Sequence, residues 1–438
     1  MTKMRVAVCT LGCKVNQYES ASLTLLFQER GYQLVDFEGE ADVYIVNTCT
    51  VTHLADRKSR QMIRRAAKAN PEAIVAVTGC YAQVSQEEIL KIPGVNLVAG
   101  TRDRAQLADL VEKAIKERSP VSAVSEYLAG DKFEEMPVHS IQGRARAFLK
   151  IQDGCSNFCT YCIVPYARGP LRSRQQDRVI DAARKMVASG FKEIVLTGIH
   201  TGAYGRDLAK SLSLAELLKR LLKIPGLKRL RLSSIEPHDI TLELVEIMGG
   251  SKIFCRHLHV PLQSGEDEIL LRMGRRYTAW EYYRLTEVLR ENIPGLGLTT
   301  DIMVGFPGET DEDFQSTFRL VKKIAFSGLH VFKFSPRRGT PAADYDNQVE
   351  PGQKEERSHK LIQLGRKLSA EFASSHLGQN LSVLVEQRVQ GDGVLYEGLT
   401  DNYIRVVFSG HEGLLGEIVR VKAEKVKGPL IEGRIIDL

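Results

Sequence analysis

From Met4 to about Lys116, short β-branched runs alternate with stretches whose apolar residues recur at helical spacing. Runs at residues 5–8, 43–47, 74–78 and 95–98 predict strands with helices between them, the grammar of a parallel α/β sheet with right-handed crossovers. A polar stretch over residues 119–146, carrying Pro120, Gly130, Asp131, Pro137 and Gly143, breaks that rhythm. It predicts a linker. Beyond it, six strand-helix units follow, with strands expected near 148–152, 193–197, 229–233, 257–262, 299–304 and 331–334. Six are too few for a full eight-fold barrel, so a partial, opened (β/α)6 barrel is expected. From Ser382 the pattern shifts to short alternating strands at 382–386, 402–408 and 417–423, punctuated by glycines. This predicts a small antiparallel β-barrel. The expected domains are residues 1–118, a linker at 119–143, a core at 144–375 and a terminal barrel at 376–438.

Composition narrows the class without naming a function. With 43% hydrophobic, 26% charged and 7% aromatic residues, a disordered chain, a collagen and a disulfide miniprotein are excluded. No apolar run approaches the roughly 18 residues of a membrane-spanning helix. Lys14, Asn16 and Gln17 arrive before a signal-peptide core could be completed, so a cytosolic protein is expected. The net charge of +6 permits a polyanionic partner and does not require one. In a reducing cytosol, eight cysteines point to ligation or catalysis before disulfides.

Three of them, Cys155, Cys159 and Cys162, form a CxxxCxxC loop directly after the first core strand. Three soft thiolates in one short loop can hold three corners of an iron-sulfur cubane and leave the fourth iron open. A structural zinc site is the competing reading; it wants four closed ligands, and no fourth Cys or His lies in the loop. Cys13, Cys49 and Cys80 are scattered, with separations of 36 and 31 residues. Each separation equals one strand-helix repeat. All three thiols are therefore expected at the carboxyl edge of one parallel sheet, where neighbouring strands lie about 5 Å apart and ligands bind. Simple burial of three cysteines is the alternative. Cys9 and Cys255 fall outside both sets and read as packing residues.

The core loop resembles that of the radical S-adenosylmethionine superfamily, in which the open iron binds the amino acid part of the cofactor. The resemblance implies cofactor contacts at Tyr161 in the loop, Gly198 after the second strand, Ser233, Ser234 and Glu236 after the third, and Asp301 at the fifth. The wording around Cys13 (Thr10 to Ser20), Cys49 (Asn47 to Thr52) and Cys80 (Thr78 to Gln83) resembles the methylthiotransferase family of those enzymes. That family joins a three-cysteine cluster domain, a radical core and an RNA-binding TRAM barrel. The resemblance implies two 4Fe–4S clusters, one on Cys155, Cys159 and Cys162 for radical generation and one on Cys13, Cys49 and Cys80 for sulfur transfer. The Lys-Val-Asn-Gln-Tyr-Glu wording, residues 196–202 and residues 400–403 look like the branch acting at C2 of N6-threonylcarbamoyladenosine, position 37 of tRNA. Isopentenyladenosine of tRNA or an aspartate of a ribosomal protein are the alternative substrates. The partners implied are the tRNA anticodon stem-loop, an electron donor such as flavodoxin and a sulfur source, with no membrane.

RNA contacts have several candidates. Arg57, Arg60, Arg64 and Lys68 recur at helical steps and form a basic stripe, which also suits a solvated face. Arg168, Arg172 and Arg174 lie just beyond the cluster loop, where RNA would arrive. Residues 382–438 carry seven Lys or Arg against nine Asp or Glu, net −2. RNA binding there would need a local patch at Lys422, Lys425 and Lys427, or base stacking on Tyr403 or Phe408. A rival from another class is a zinc-dependent barrel hydrolase, since His257 and His259 share one face of a strand. It leaves six cysteines unexplained.

Overall fold

The computed structural model describes residues 3–117, 119–128, 130–137, 145–208, 212–390 and 393–437, and its elements follow the three sequence patterns. The first segment comprises β1 (Arg5–Thr10), α1 (Lys14–Glu29), β2 (Gln33–Leu34), β3 (Val43–Thr48), α2 (His53–Ala69), β4 (Ile74–Gly79), α3 (Cys80–Val84), α4 (Gln86–Leu90), β5 (Val95–Ala99), α5 (Leu107–Glu117) and β6 (Val121–Ala123). Its strands pair in the order β2-β1-β3-β4-β5-β6, all parallel. Apolar clusters cover both faces. Every residue of β3 and β4 is therefore buried, which is why both read as unbroken apolar runs. Two strands exceed the four expected. β2 is only two exposed residues, and β6 lies inside the stretch read as linker, captured by pairing Leu97 with Val121. Residues 138–144 of that stretch, including Gly143, lie outside the described residues.

The core runs through β7 (Arg146–Lys150), β8 (Gln152–Asp153), α6 (Val164–Arg168), β9 (Arg172–Ser173), α7 (Gln176–Ala188), β10 (Glu193–Thr197), α8 (Leu214–Leu221), β11 (Arg229–Leu232), α9 (Leu242–Gly250), β12 (His257–His259), α10 (Asp267–Arg272), α11 (Ala279–Asn292), β13 (Gly297–Val304), α12 (Asp311–Ile324), β14 (Gly328–Lys333) and α13 (Pro351–Ser374). Capping boxes at Ser213/Glu216, Thr278/Glu281 and Thr310/Asp313 start α8, α11 and α12 by satisfying their first backbone donors. Two three-stranded parallel sheets, β7-β10-β11 and β12-β13-β14, are joined by bridges from Leu230 to Phe254 and Ser234 to His259. Six strands thus follow one another in chain order, with β7 and β14 at the two edges. Leu149, Ile194, Leu196, Leu230, Leu232 and Leu258 pack outward in the largest apolar cluster. Alternation turns their neighbours Arg146, Glu193, Arg231, His257 and His259 into the lumen.

The N-terminal unit contacts both edges of this opened barrel. Helix α1 packs on β7, while Arg337, just beyond β14, donates to Asp56 at 2.6 Å and Thr50 at 2.7 Å. The C-terminal strands β15 (Asn380–Val389), β16 (Leu395–Thr400), β17 (Arg405–Ser409), β18 (Ile418–Lys427) and β19 (Leu430–Asp437) close a barrel in the order β15-β16-β17-β19-β18. One pairing, β17 with β19, is parallel, and the others are antiparallel. Among the described residues no helix is long and apolar enough to cross a membrane.

Candidate active site with two cysteine trios

The core trio is built by one turn. Gly154, at φ +72, leads into it, and a Cβ there would lie 1.9 Å from the Pro170 carbonyl oxygen, so only glycine fits. Within the loop Cys162 N donates to Cys159 O at 2.9 Å, and Cys155 N donates to Gly169 O at 3.1 Å. Cys155 Sγ lies 3.9 Å from His200 Nδ1, whose Nε2 is 2.6 Å from Asp239. Arg275 Nη1 is 3.4 Å from Cys159 Sγ and forms an ion pair with Glu236. Burial pushes the Cys162 thiol up to about 12 and also raises Cys159, against the pull of Arg275.

The second trio is built by sheet register. Thr10 pairs with Asn47 and Asn47 with Thr78, so β1, β3 and β4 end in step. Cys13 sits at the N-cap of α1, Cys49 one residue past β3, and Cys80 one residue past β4. The expected common edge is present. Asn16 ties it together, donating to Leu11 O at 2.7 Å and Thr48 O at 3.0 Å. Gly12, at φ +101, keeps the space: a Cβ there would stand 2.8 Å from Cys49 Cβ. Arg168 Nε donates to Cys80 Sγ at 3.2 Å. Burial nevertheless pushes Cys80 up to about 12 and raises Cys49.

A bound metal would reverse that logic by stabilising the thiolate. Among the described residues, the trios whose ligand atoms fall within 4.8 Å of one another are His200/His238/Asp239 and His259/Asp301/His330. Neither cysteine trio is drawn to that single-ion spacing, and a cubane spreads its thiolates wider than one ion does. Three soft thiolates are the donor type that an iron–sulfur cluster takes. Ser233 Oγ is buried with no hydrogen-bond partner among the described residues, an open donor at the mouth.

The other expected cofactor residues are placed as follows. Tyr161 packs against the cluster of Met273, Phe306 and Phe334. Gly198 abuts Gln152, whose Oε1 would lie 2.9 Å from a Cβ, and Ser234 O accepts from Thr201 Oγ1. Glu236 is engaged by Arg275. Asp301 lies within β13, held by His259 and His330 at 3.2 Å each, and their hydrogen bonds outweigh burial in lowering it. Cys9 is partly buried and Cys255 buried, as packing residues are.

Two expectations about RNA are overturned. Arg168, Arg172 and Arg174 are buried, not displayed to RNA. Their partners are carboxylates: Arg168 reaches Glu19 at 2.8 Å and Asp153 at 3.1 Å, Arg172 reaches Asp153 at 3.7 Å, and Arg174 binds Glu135. Glu19, fully buried, also meets Lys150 at 2.7 Å and Arg104 at 3.0 Å. Burial alone would raise it, but Arg104, Arg168 and Lys150 prevail and hold it down at about 2. This network joins the N-terminal unit to the core. Tyr403 and Phe408 are likewise no platform for bases: Phe408 is core, and Tyr403 stacks on His257 with ring centroids 4.3 Å apart. Tyr403 lies beneath Arg146 and Arg231 and forms the floor of the lumen. Arg231 fixes that turn by donating to Asp401 O at 3.0 Å and Thr400 O at 3.2 Å. By contrast, Arg57, Arg64 and Lys68 of the stripe are exposed, as are Lys422, Lys425 and Lys427. His257 and His259 do share a face, both meeting Thr299 Oγ1 at 3.0 Å.

A CxxxCxxC loop at the mouth of an opened parallel barrel defines a radical S-adenosylmethionine enzyme. The chain matches the sequence model of the Radical SAM superfamily over residues 149–321, and that of uncharacterized protein family UPF0004 over residues 5–100. Solved structures share the fold: the radical S-adenosylmethionine methyltransferase TsrM from Kitasatospora setae (TM-score 0.58, 16% identity, 78% of this chain and 77% of that one) and the cobalamin-dependent radical enzyme OxsB (TM-score 0.54, 11%, 85% and 56%). The threonylcarbamoyladenosine tRNA methylthiotransferase MtaB of Bacillus subtilis is 47% identical over 434 residues, spanning 98% of this chain and 96% of that protein. Its namesake in Aquifex aeolicus is 38% identical, over 95% and 100%. The tRNA-2-methylthio-N(6)-dimethylallyladenosine synthase of Pelotomaculum thermopropionicum is 39% identical, over 96% and 95%. The chain belongs to the radical S-adenosylmethionine methylthiotransferase family. Membership implies a 4Fe–4S cluster and S-adenosylmethionine.

Proposed function

We propose that this chain methylthiolates C2 of N6-threonylcarbamoyladenosine at position 37 of tRNA. The observation that carries the chemistry is the shared border of the two trios: Arg168, six residues past Cys162, donates to Cys80 of the other trio. The substrate follows the name of the relative at 47% identity. Cys155, Cys159 and Cys162 hold one 4Fe–4S cluster, and Cys13, Cys49 and Cys80 hold a second. When bound, the cofactors supply a radical able to open an unreactive C–H bond, and sulfur and methyl to replace the hydrogen. The chain's own work is positional. Ser233 offers an unpartnered hydroxyl to S-adenosylmethionine, and Glu236, fixed by Arg275, presents a carboxylate beside it. Tyr161 backs the loop, Gly198 leaves room for the cofactor, and Asp301 faces the lumen. Electrons, from a donor such as flavodoxin, and sulfur come from outside the chain, and tRNA places the reaction in the cytoplasm. Residues 1–118, 144–375 and 376–438 serve as cluster domain, radical core and RNA-binding TRAM barrel, joined through 119–143.

The test is nucleoside mass spectrometry of a strain lacking the gene. Loss of 2-methylthio-N6-threonylcarbamoyladenosine with other thiomethylated products intact supports the reading. An unchanged nucleoside profile removes it.

A further inference from the structure

His200 and Asp239 form a buried pair to which the chemistry above gives no task. His200 lies three residues past β10, and Asp239 ends the short turn that follows β11, so both stand at the carboxyl ends of core strands. The ring is fixed from several sides. His200 N donates to Gln152 Oε1 at 2.7 Å, and Gln152 Nε2 donates in turn to the carbonyl of Gly154, the residue before Cys155, at 2.6 Å. Asp239 Oδ2 lies 2.6 Å from His200 Nε2. Gly202 leaves room for that carboxylate, since a Cβ there would stand 2.3 Å from Asp239 Cβ. Arg206 takes the other carboxylate oxygen at 2.5 Å. The remaining ring nitrogen, Nδ1, meets Cys155 Sγ at 3.9 Å.

A cysteine that ligates iron has given up its proton and can only accept, as can the Asp239 carboxylate. The ring between them therefore faces an acceptor on each side, which a ring with a hydrogen on both nitrogens satisfies. A reduced cluster carries one more negative charge than the oxidised one, so a donor at its sulfur stabilises the reduced state more. We propose that His200, oriented by Asp239, is a positioning residue that donates a hydrogen bond to the Cys155 thiolate and raises the reduction potential of the core cluster. The inference rests on the reading, given under Proposed function, that Cys155, Cys159 and Cys162 hold that cluster.

The test is a redox titration of the reconstituted full chain, followed by electron paramagnetic resonance. The signal that changes when S-adenosylmethionine is added marks the core cluster. His200→Phe should move the core midpoint to a more negative potential and leave that of the other cluster in place. His200→Gln, whose amide can still donate, should recover part of the shift, and Asp239→Asn should shift the core midpoint in the same direction as His200→Phe. Reductive release of 5'-deoxyadenosine by His200→Phe should fall by about 10- to 100-fold, the usual effect of removing an outer-shell partner. An unchanged core midpoint in His200→Phe overturns the proposal, and so does an equal shift of both clusters. Should His200→Phe load less iron, Asp239→Asn carries the decision, and an unchanged core midpoint there overturns the proposal. A native chain whose iron signals ignore S-adenosylmethionine sinks the cluster reading instead.

Discussion

Cys155, Cys159 and Cys162 sit within one turn of chain, whereas Cys13, Cys49 and Cys80 come from three strand ends 36 and 31 residues apart. The first trio is fixed by its own backbone hydrogen bonds and answered by Arg275 and His200, all within the core. The second depends on the register of an entire sheet and is answered by Arg168, which belongs to the other domain. One centre is locally complete. The other is finished only by docking, so damage should travel from core to N-terminal unit more readily than back.

The largest effect should come from the locally complete centre. Cys159→Ala removes a proposed ligand of the radical-generating cluster, so reconstituted protein should release no 5'-deoxyadenosine and form no thiomethylated RNA. Cys49→Ala should keep reductive release of 5'-deoxyadenosine while methylthiolation disappears. A Cys49→Ala enzyme that still thiolates RNA erases the division of labour between the trios.

A smaller effect should separate the domains without touching a cysteine. Arg168→Met leaves Glu19 and Asp153 buried with fewer cations, and breaking a buried pair from one side typically costs about 3–5 kcal/mol. A fall in melting temperature, with iron lost from the N-terminal trio before the core trio, is expected; equal loss from both contradicts the asymmetry. Acid should act on the same joint. Glu19 sits at about 2 in the fold against a usual 4.5, so its stabilisation is present above about pH 4.5 and is lost as pH falls toward 2. Melting of the protein without metal should therefore steepen its decline in that window, and Glu19→Gln should remove the steepening.

How far the sequence reaches follows from this contrast. The core loop declares itself because its three ligands are neighbours in the chain. The scattered trio is legible because its spacing matches the strand-helix repeat, and β10 falls on residues 193–197 as the apolar pattern expects. β6 escapes that pattern because Val-Ser-Ala carries too little alternation; pairing with β5 makes it a strand. The arginines beyond the cluster loop mislead for a different reason. Exposure of an arginine is decided by its partners, and Glu19 lies 149 residues away from Arg168. Tyr403 misleads in the same way, since its partner His257 belongs to another domain.

The smallest expected effect concerns the outer face of α2, which begins at the Thr52 cap, three residues after Cys49. Ser59, Ile63 and Ala66 turn inward, which leaves Arg57, Arg64 and Lys68 exposed, while Arg60 is partly occupied by Tyr81 at 2.9 Å and Glu88 at 3.2 Å. Reversing Arg64 and Lys68 to Glu should leave stability within about 0.5 kcal/mol, because neither side chain is buried. Binding of tRNA should weaken, and the slope of log affinity against log salt should become shallower by about one for each phosphate no longer neutralised. The same substitutions at Lys422 and Lys425 provide the matched comparison on the terminal barrel. If only the barrel variants change the slope, the stripe is a solvated face and RNA is gripped from the C-terminal side. If only the stripe variants change it, the domain that carries the scattered trio also steers the RNA, and the terminal barrel contributes chiefly through the Tyr403 floor.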